Sequence, residues 1–481
     1  MIARYILILL ICTRTSVFAD LSAITDEFIT KSTAASHTTQ PLLLSEVQQS
    51  VASLYPPLLT ALIERDIAAG RLQSAQGTFD FNVFAKAFGT PVGFYESETL
   101  ETGFEKFLGL WGSTLFGGYR LTEGDRLPDY YRKDRTQEGG ELNLGVKVPL
   151  LQDGRIDKRR AAVMKARYDA ELADPLIQRQ EIDFIQASTK AYFGWLAAGT
   201  KLRLAQKQLN LARDRVEILH KQVETGLIKK LVITDNRRLV VDREIQTTQA
   251  RRSFEAAALA LSLFHRDENM EPLVTGIDRL PETFPDLIDP NGLNLIDDVQ
   301  IALEQRPEIK QVDIQLAKAG IDLEQARNAM MPALDASLYG AQNFGQDIYK
   351  DINEFELKAM VEFSMPLERR EARGDQIVAK SKQQQLLYKA RFAREKISNE
   401  VRNAHSALVA AYEQIEMAEI NVALAKEMEG AEKEMFNKGA SDFLAVQLRE
   451  QSTFAAQMKS VEATMAFFVS LAAYKAASMQ L

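Results

Sequence analysis

The longest signals in the sequence are two runs of apolar residues at helical spacing. In the first run, spacings of three and four alternate up to Gly226, through Leu202, Ala205, Leu209, Ala212, Val216, Leu219 and Val223. The second run repeats this heptad pattern ahead of Gly439, through Leu408, Ala411, Ile415, Ala418, Val422 and Ala425, before Glu429 and Glu432 depart from it. Helical patterning resumes after each glycine. Each run therefore predicts a helix, a glycine-bearing reversal and an antiparallel return helix.

Between the helical runs, the apolar period changes from about 3.5 to 2. One alternating run ends at Pro149 and contains Leu142, Leu144, Val146 and Val148. Another ends before Pro366 and contains Phe355, Leu357, Ala359, Val361 and Phe363. Similar alternation at residues 79–83 and 334–338 predicts their partner strands. The pattern thus predicts about four strands of roughly ten residues, each apolar on one face and long enough to cross a bilayer when tilted.

The order of these elements indicates an internal duplication. Pro149 and Pro366 are 217 residues apart, and Gly226 and Gly439 are 213 apart. We predict a first repeat over 20–265 and a second over 295–481, joined by a proline-rich linker over 266–294. The predicted parts are a strand pair at about 79–150 and a helical hairpin at 154–265 in the first repeat, and a strand pair at about 333–367 and a hairpin at 374–477 in the second.

Two regions have a less regular pattern. Residues 91–139 form a long, aromatic-rich insertion, which the sequence allows to be either an extracellular loop or an extra hairpin. Pro175 is expected to interrupt the long helix that begins near Gly154, whereas Pro307 is expected to start a shorter helix.

Composition and charge narrow the functional classes. The chain has 481 residues, with 66 acidic against 58 basic side chains and a net charge of −8, which argues against a nucleic-acid-binding protein. The longest uncharged apolar run, Tyr5–Cys12, is too short for a transmembrane helix. Together with Arg4 and Ala19, this run predicts a cleavable signal peptide over 1–19. Lipidation of Cys12, the only cysteine, and an uncleaved segment are the alternatives.

The sequence contains none of the common catalytic motifs that we considered. The four histidines are far apart, and the sequence contains no H-E-x-x-H, G-x-S-x-G or G-x-x-x-x-G-K-[ST] run. We therefore predict no enzymatic activity, no cofactor and no metal site.

The apolar faces of the strands must be covered by protein or by lipid. The predicted helices cannot cover them, because their own apolar faces already pack in the heptad seams. Lipid can supply that cover, but a bilayer tolerates no open sheet edge, so the strands must close into a barrel. Four strands are too few for this. A homotrimer would supply twelve strands, and its long helices would surround a tunnel. The predicted fold class is mixed α and β, with a coiled-coil helical barrel and a transmembrane β-barrel closed by trimerisation.

Three segments resemble the TolC-like outer-membrane efflux protein family: residues 146–155 (Val-Lys-Val-Pro-Leu-Leu-Gln-Asp-Gly-Arg), 223–227 (Val-Glu-Thr-Gly-Leu) and 436–439 (Phe-Asn-Lys-Gly). The resemblance implies a homotrimeric duct of a Gram-negative outer membrane that extends into the periplasm. It also implies two protein partners, a periplasmic adaptor and an inner-membrane pump of the RND or ABC type. Efflux of small molecules or type I secretion of polypeptides is the implied function.

The resemblance also implies roles for individual residues. Adaptor-docking hairpin tips are expected at Thr225, Gly226, Leu227 and Gly439. Possible periplasmic gate charges are Lys229, Lys230 and Asp442, and strand-to-helix turns are expected at Pro149, Gly154, Pro366 and Gly374. The alternative interpretation is a periplasmic or secreted coiled-coil adaptor or structural rod without a pore.

Overall fold

A computed structural model describes residues 40–93, 96–124, 135–226, 228–346 and 349–480. The predicted signal peptide, Cys12 and the predicted tip residue Leu227 lie outside these residues. The chain forms two compact units. The tip unit comprises residues up to Tyr55, Ala191–Asp286 and Glu429–Val461, and the sheet unit comprises Pro56–Lys190, Leu287–Met428 and Glu462–Leu481.

Helices account for most of the described chain. They are α1 Leu44–Leu54, α2 Pro56–Gln76, α3 Lys158–Glu224, α4 Leu231–Ser262, α5 Leu295–Gln305, α6 Pro307–Asn328, α7 Arg370–Asn437 and α8 Phe443–Ser478. No helix in the described residues combines the length and apolar character needed to cross a bilayer.

The two proline predictions have different outcomes. Pro307 occupies the first position of α6, as expected. The interruption predicted at Pro175 is wrong, because α3 continues through this residue. Neighbouring Ala173 and Ile177 are buried, and the side chain of Gln311 donates a hydrogen bond to the Pro175 carbonyl at 2.9 Å. These contacts hold α3 on both sides of the proline, although Pro175 cannot donate a backbone hydrogen bond within the helix.

The strands form one antiparallel sheet in the sheet unit. They are β1 Asn82–Thr90, β2 Ser97–Phe107, β3 Thr114–Gly124, β4 Glu141–Pro149, β5 Ala333–Asn343 and β6 Glu356–Ser364, arranged in chain order. The sheet thus has six strands where the sequence pattern predicts about four. The difference lies in the insertion 91–139, whose described residues form the extra hairpin β2–β3 rather than a loop alone.

The two faces of the sheet differ in polarity. One row of paired residues runs across all six strands, and it contains Val83, Phe104, Leu144 and Leu357 together with two glycines. The exposed fractions are 69% for Val83, 54% for Leu144 and 63% for Leu357. A row on the opposite face contains Lys86, Glu101, Arg120, Glu141 and Asn343. One face is therefore apolar and largely uncovered, and the other is polar.

The heptad seams are buried as predicted. Most of their residues are less than a tenth exposed, namely Leu202, Ala205, Leu209, Ala212, Leu219, Leu408, Ala411, Ile415 and Ala425. In the tip unit, α4 returns antiparallel along α3, where Asn236 donates a hydrogen bond to the Ala212 carbonyl at 3.1 Å and Phe254 contacts Trp195. In the sheet unit, α8 returns along α7, where Tyr412 contacts Phe467 and His405 contacts Tyr474.

The segment over 266–294 is described throughout and has little regular structure. It contains the short 3-10 turns Ile277–Arg279 and Pro290–Gly292, and one isolated bridge joins Arg266 to Pro272.

Candidate functional site: the paired hairpin tips

The two helical reversals have the same backbone geometry. Gly226 has a φ of 72° and Gly439 a φ of 76°, in the left-handed region that other residues rarely adopt. The Gly226 amide donates to the Val223 carbonyl at 3.0 Å, and the Gly439 amide donates to the Phe436 carbonyl at the same distance. These bonds satisfy carbonyl groups at the helix ends. Glycine is favoured at both positions by the backbone conformation and not by close packing, since a Cβ atom at either would meet open space.

An apolar cluster joins the two tips within the tip unit. Its buried members are Leu219 from α3, Ile233 from α4 and Phe443 from α8, and it is completed by Val223, Ile228, Val232 and Phe436. The rings of Phe436 and Phe443 lie 6.2 Å apart. The two hairpins therefore end side by side and share one apolar contact.

A charged network lies beside this apolar cluster. Glu450 of α8 accepts a hydrogen bond from Arg215 of α3 and lies 3.2 Å from the ammonium of Lys433 in α7. Lys433 also donates to Glu429 at 2.6 Å. The Glu450 side chain is only 5% exposed and that of Arg215 is 16% exposed. Three helices from the two hairpins are thus joined through one buried carboxylate.

A second acidic residue of α7 has similar partners. Glu432 accepts a hydrogen bond from Ser441 in the second reversal, and it lies 3.5 Å from Arg449 of α8. Glu429 and Glu432 are the two residues that depart from the second heptad seam. Their ion pairs explain the departure, because a carboxylate at a seam position is stable when basic side chains reach it.

The surroundings of Glu429 and Lys433 favour the charged form of each side chain. Burial alone would raise the pKa of Glu429, but hydrogen bonds from Lys433 and Thr453 and the positive charges of Lys433 and Arg215 lower it below its usual value. Burial would lower the pKa of Lys433, but the hydrogen bond with Glu429 and the charges of Glu450 and Glu429 raise it.

The predicted gate charges lie outside this network. Lys229 and Lys230 are exposed in the first reversal, and neither forms an ion pair with another described residue. Asp442 is exposed in the second reversal, where its side chain accepts a hydrogen bond from the Ala445 amide at 2.8 Å and caps the start of α8. Arg215, Lys433 and Glu450 are therefore not among the site residues predicted from the sequence, where the acidic residues at seam positions are the only signal of the network.

Three of the four predicted docking residues are among the described residues, and these three lie in the reversals. Thr225 and Gly226 follow α3 and are exposed, as is Gly439, which follows α7. The Thr225 hydroxyl donates back to the Lys221 carbonyl at 3.0 Å.

Three of the four predicted strand-to-helix positions lie in turns or next to one. Pro149 ends β4, Gly154 lies in the turn before α3, and Pro366 lies between β6 and α7. Gly374 does not form a turn, because α7 begins at Arg370 and already includes it. Within the described residues, no group of His, Cys, Asp or Glu side chains is arranged to hold a metal ion.

Known proteins are similar to this chain in profile and fold. The profile of the family described as "Outer membrane efflux protein" matches residues 129–264 and 299–476. No curated protein sequence matches the chain.

Solved structures share its fold at low sequence identity. CusC is 16% identical with a TM-score of 0.66, over 90% of this chain and 91% of CusC. The CmeC outer membrane channel of Campylobacter jejuni is 13% identical with a TM-score of 0.64, over 90% and 85%. The outer membrane protein VceC of Vibrio cholerae is 16% identical with a TM-score of 0.63, over 90% and 95%. Since the family profile covers more than half of the sequence, on both sides of the 266–294 segment, the chain belongs to the TolC-like outer membrane efflux protein family.

Proposed function

We propose that this protein is the exit duct of a tripartite export system, conducting substrates passively from an inner-membrane pump and a periplasmic adaptor to the exterior. The observation that carries the proposal is the uncovered apolar face of the sheet, on which Val83, Leu144 and Leu357 are more than half exposed. Family membership supports an efflux role, and the uncovered face supports outer-membrane lipid as the surrounding medium. The proposed route to that membrane is export through the signal peptide 1–19.

Closure of the sheet requires further copies of the chain. The sheet begins with β1 and ends with β6, each of which pairs on one side only within the described sheet. A bilayer does not tolerate the unpaired backbone groups of an open edge. Pairing of β6 from one copy with β1 from the next is antiparallel, since successive strands of the six alternate in direction. We propose that three copies close the barrel in this way.

We propose that the adaptor docks at the hairpin tips. Thr225, Gly226 and Gly439 are exposed at the two reversals, and the proposed docking surface also includes Leu227. The lysines Lys229 and Lys230 and the aspartate Asp442 would present charge beside them as gate elements. The shared backbone geometry of the two reversals supports the proposal that 20–265 and 295–481 are repeats of one structural unit, joined by the linker 266–294.

Fractionation and electrical recording test the duct. We expect the protein in the outer-membrane fraction as a heat-modifiable trimer, and we expect the purified trimer to produce discrete conductance steps in planar lipid bilayers. A monomer found entirely in the soluble periplasm, without conductance, would instead support the coiled-coil rod.

Substitution at the tips tests the docking surface. We expect Gly226→Asp or Gly439→Asp to reduce co-purification of the trimer with its adaptor and pump, because both the backbone conformation and the charge of the tip change. Gly430→Asp is the matched control, since Gly430 is exposed within α7 and has open space around it. Equal capture of the partners by all three variants would contradict docking at the tips, whereas loss of the trimer would identify the tip glycines as folding residues.

A further inference from the structure

The hairpin β2–β3 is part of the sheet rather than an addition to its edge. Residues Asn82–Thr90 of β1 pair with Ser97–Glu105 of β2, and Thr114–Arg120 of β3 pair with Glu141–Lys147 of β4. The two strands that the sequence pattern predicts as partners, β1 and β4, are therefore separated by two further strands. Removing the hairpin from the wall would require β1 and β4 to give up these ladders.

The inserted strands have the length and polarity of their neighbours. Both β2 and β3 are 11 residues long, which matches the 9–11 residues of a tilted membrane-spanning strand. Leu100 of β2 aligns with Leu121 of β3 on the apolar face of the sheet, and Leu100 is 47% exposed. Glu101 aligns with Arg120 on the polar face, where Arg120 forms an ion pair with Glu141 of β4 at 3.1 Å. The hairpin thus continues both faces without a break.

The turn of this hairpin is fixed to the strand-to-helix turn that follows β4. Trp111 and Gly112 have φ values of 51° and 66°, and a Cβ atom on Gly112 would collide with the Asp153 carbonyl. The Trp111 indole nitrogen lies 2.8 Å from the position of a Cβ atom on Gly154. The Arg160 side chain donates to the carbonyls of Asp153 and Gly154 at 2.6 and 2.7 Å. A short, tightly packed turn at this end of the sheet matches the short periplasmic turns of membrane barrels.

We propose that β2–β3 crosses the membrane as part of the barrel wall, so that each chain contributes six strands instead of four. This inference rests on the proposed trimeric duct, in which three six-stranded sheets give an eighteen-stranded barrel. Barrel diameter grows roughly linearly with strand number, so the lumen is about one and a half times as wide as that of a twelve-stranded barrel. The family profile begins at residue 129, so the hairpin lies outside the matched residues. A wider membrane segment passes bulkier substrates and leaves size selection to the hairpin tips.

Spin labels attached to single introduced cysteines test this inference in trimers reconstituted in liposomes. Cys12 is the only native cysteine, so the variants are made in a Cys12→Ser background. The hairpin variants are Leu100→Cys and Leu121→Cys on the apolar face, and Glu101→Cys and Glu105→Cys on the polar face. Asn143→Cys and Leu144→Cys in β4 are the reference pair. Retention of the heat-modifiable trimer shows that a variant has folded.

We expect oxygen, which concentrates in lipid, to relax the labels at positions 100, 121 and 144, and a water-soluble nickel complex to relax those at 101, 105 and 143. If oxygen and nickel accessibility alternate along β4 but not along the hairpin, the eighteen-stranded wall is overturned while the proposed duct still stands. Absence of alternation at all six positions would overturn the proposed duct as well.

Electron microscopy of the unaltered protein gives an independent test. End-on averages of trimers in lipid nanodiscs are expected to show a ring of eighteen strands, and a ring of twelve would overturn the inference.

Discussion

Glu450 shows how one residue can connect two hairpins that are far apart in sequence. A buried carboxylate is costly unless basic groups reach it, and both Arg215 and Lys433 do so. Arg215 also lies over the ring of Phe443, 5.5 Å from its centre, so the same guanidinium contacts the charged network and the apolar cluster. Loss of the carboxylate would therefore affect both the charged network and the apolar cluster.

We expect Glu450→Gln to destabilise the tip unit by about 3 kcal/mol, because it leaves the largely buried Arg215 guanidinium without its charged partner. Urea unfolding followed by the fluorescence of the buried Trp195 measures this loss, in a Trp111→Phe background that removes the only other tryptophan. The control is Glu434→Gln, since Glu434 forms an exposed ion pair with Lys438 that contributes little. Equal effects of the two substitutions would contradict a special role for Glu450.

The network should also make tip stability depend on pH. The lowered pKa of Glu429 means that its contribution is present above its unfolded pKa and is lost as pH falls through the folded value. The raised pKa of Lys433 has the opposite sign, so its contribution is present below its unfolded pKa and is lost as pH rises through the folded value.

We therefore expect the Trp195 transition of the same background to weaken on acidification from roughly pH 7 to pH 3, and we expect Glu429→Gln to reduce this dependence. Identical pH profiles for the two proteins would show that Glu429 does not contribute.

At the scale of single elements, the proline within α3 is the clearest departure from sequence expectation. Pro175 removes one backbone hydrogen bond from a 67-residue helix. We expect Pro175→Ala to stabilise α3 by up to about 3 kcal/mol and to slow hydrogen exchange of the amides around it. Pro307→Ala is the matched control, because Pro307 occupies the first helical position, where a missing amide costs little. A similar gain at both positions would contradict this explanation.

Elements with a strong local pattern were predictable from the sequence, whereas contacts between distant residues were not. The heptad seams, both reversals and β4, β5 and β6 follow from apolar spacing. The sequence does not decide between a loop and a hairpin for β2–β3, because Gly103, Gly117 and Gly118 interrupt its alternation, although ladder pairing with β1 and β4 stabilises it. The pairing of Arg215 with Glu450 joins residues 235 apart in sequence, a separation that no local pattern records.

At the scale of the whole molecule, the proposed closure makes a prediction about the seam between copies. Lys86 of β1 and Glu362 of β6 lie on the polar face of the sheet, and neither forms an ion pair with another described residue. Antiparallel pairing of β6 with β1 of the next copy can bring these opposite charges together. We propose that Lys86 and Glu362 lie opposite each other and so define the register between β1 and β6 of neighbouring copies.

We expect Lys86→Cys combined with Glu362→Cys to form disulfides between chains, seen as dimers and trimers on non-reducing gels. The control combines Lys86→Cys with Glu356→Cys, because position 356 lies roughly 20 Å further along β6. Stronger cross-linking of the control pair would contradict the proposed register.

The order of strands in the sheet has a consequence for how the chain folds. Four of the five ladders join strands that follow one another closely in sequence, whereas β4 and β5 are separated by helices α3 to α6. Hairpins between near neighbours form within microseconds, while closing a long loop costs entropy before any ladder bond repays it. We therefore expect β1–β4 and β5–β6 to form first as separate pieces. The rate at which the intervening helices fold then determines when the two pieces join and the exposed edges of β4 and β5 disappear.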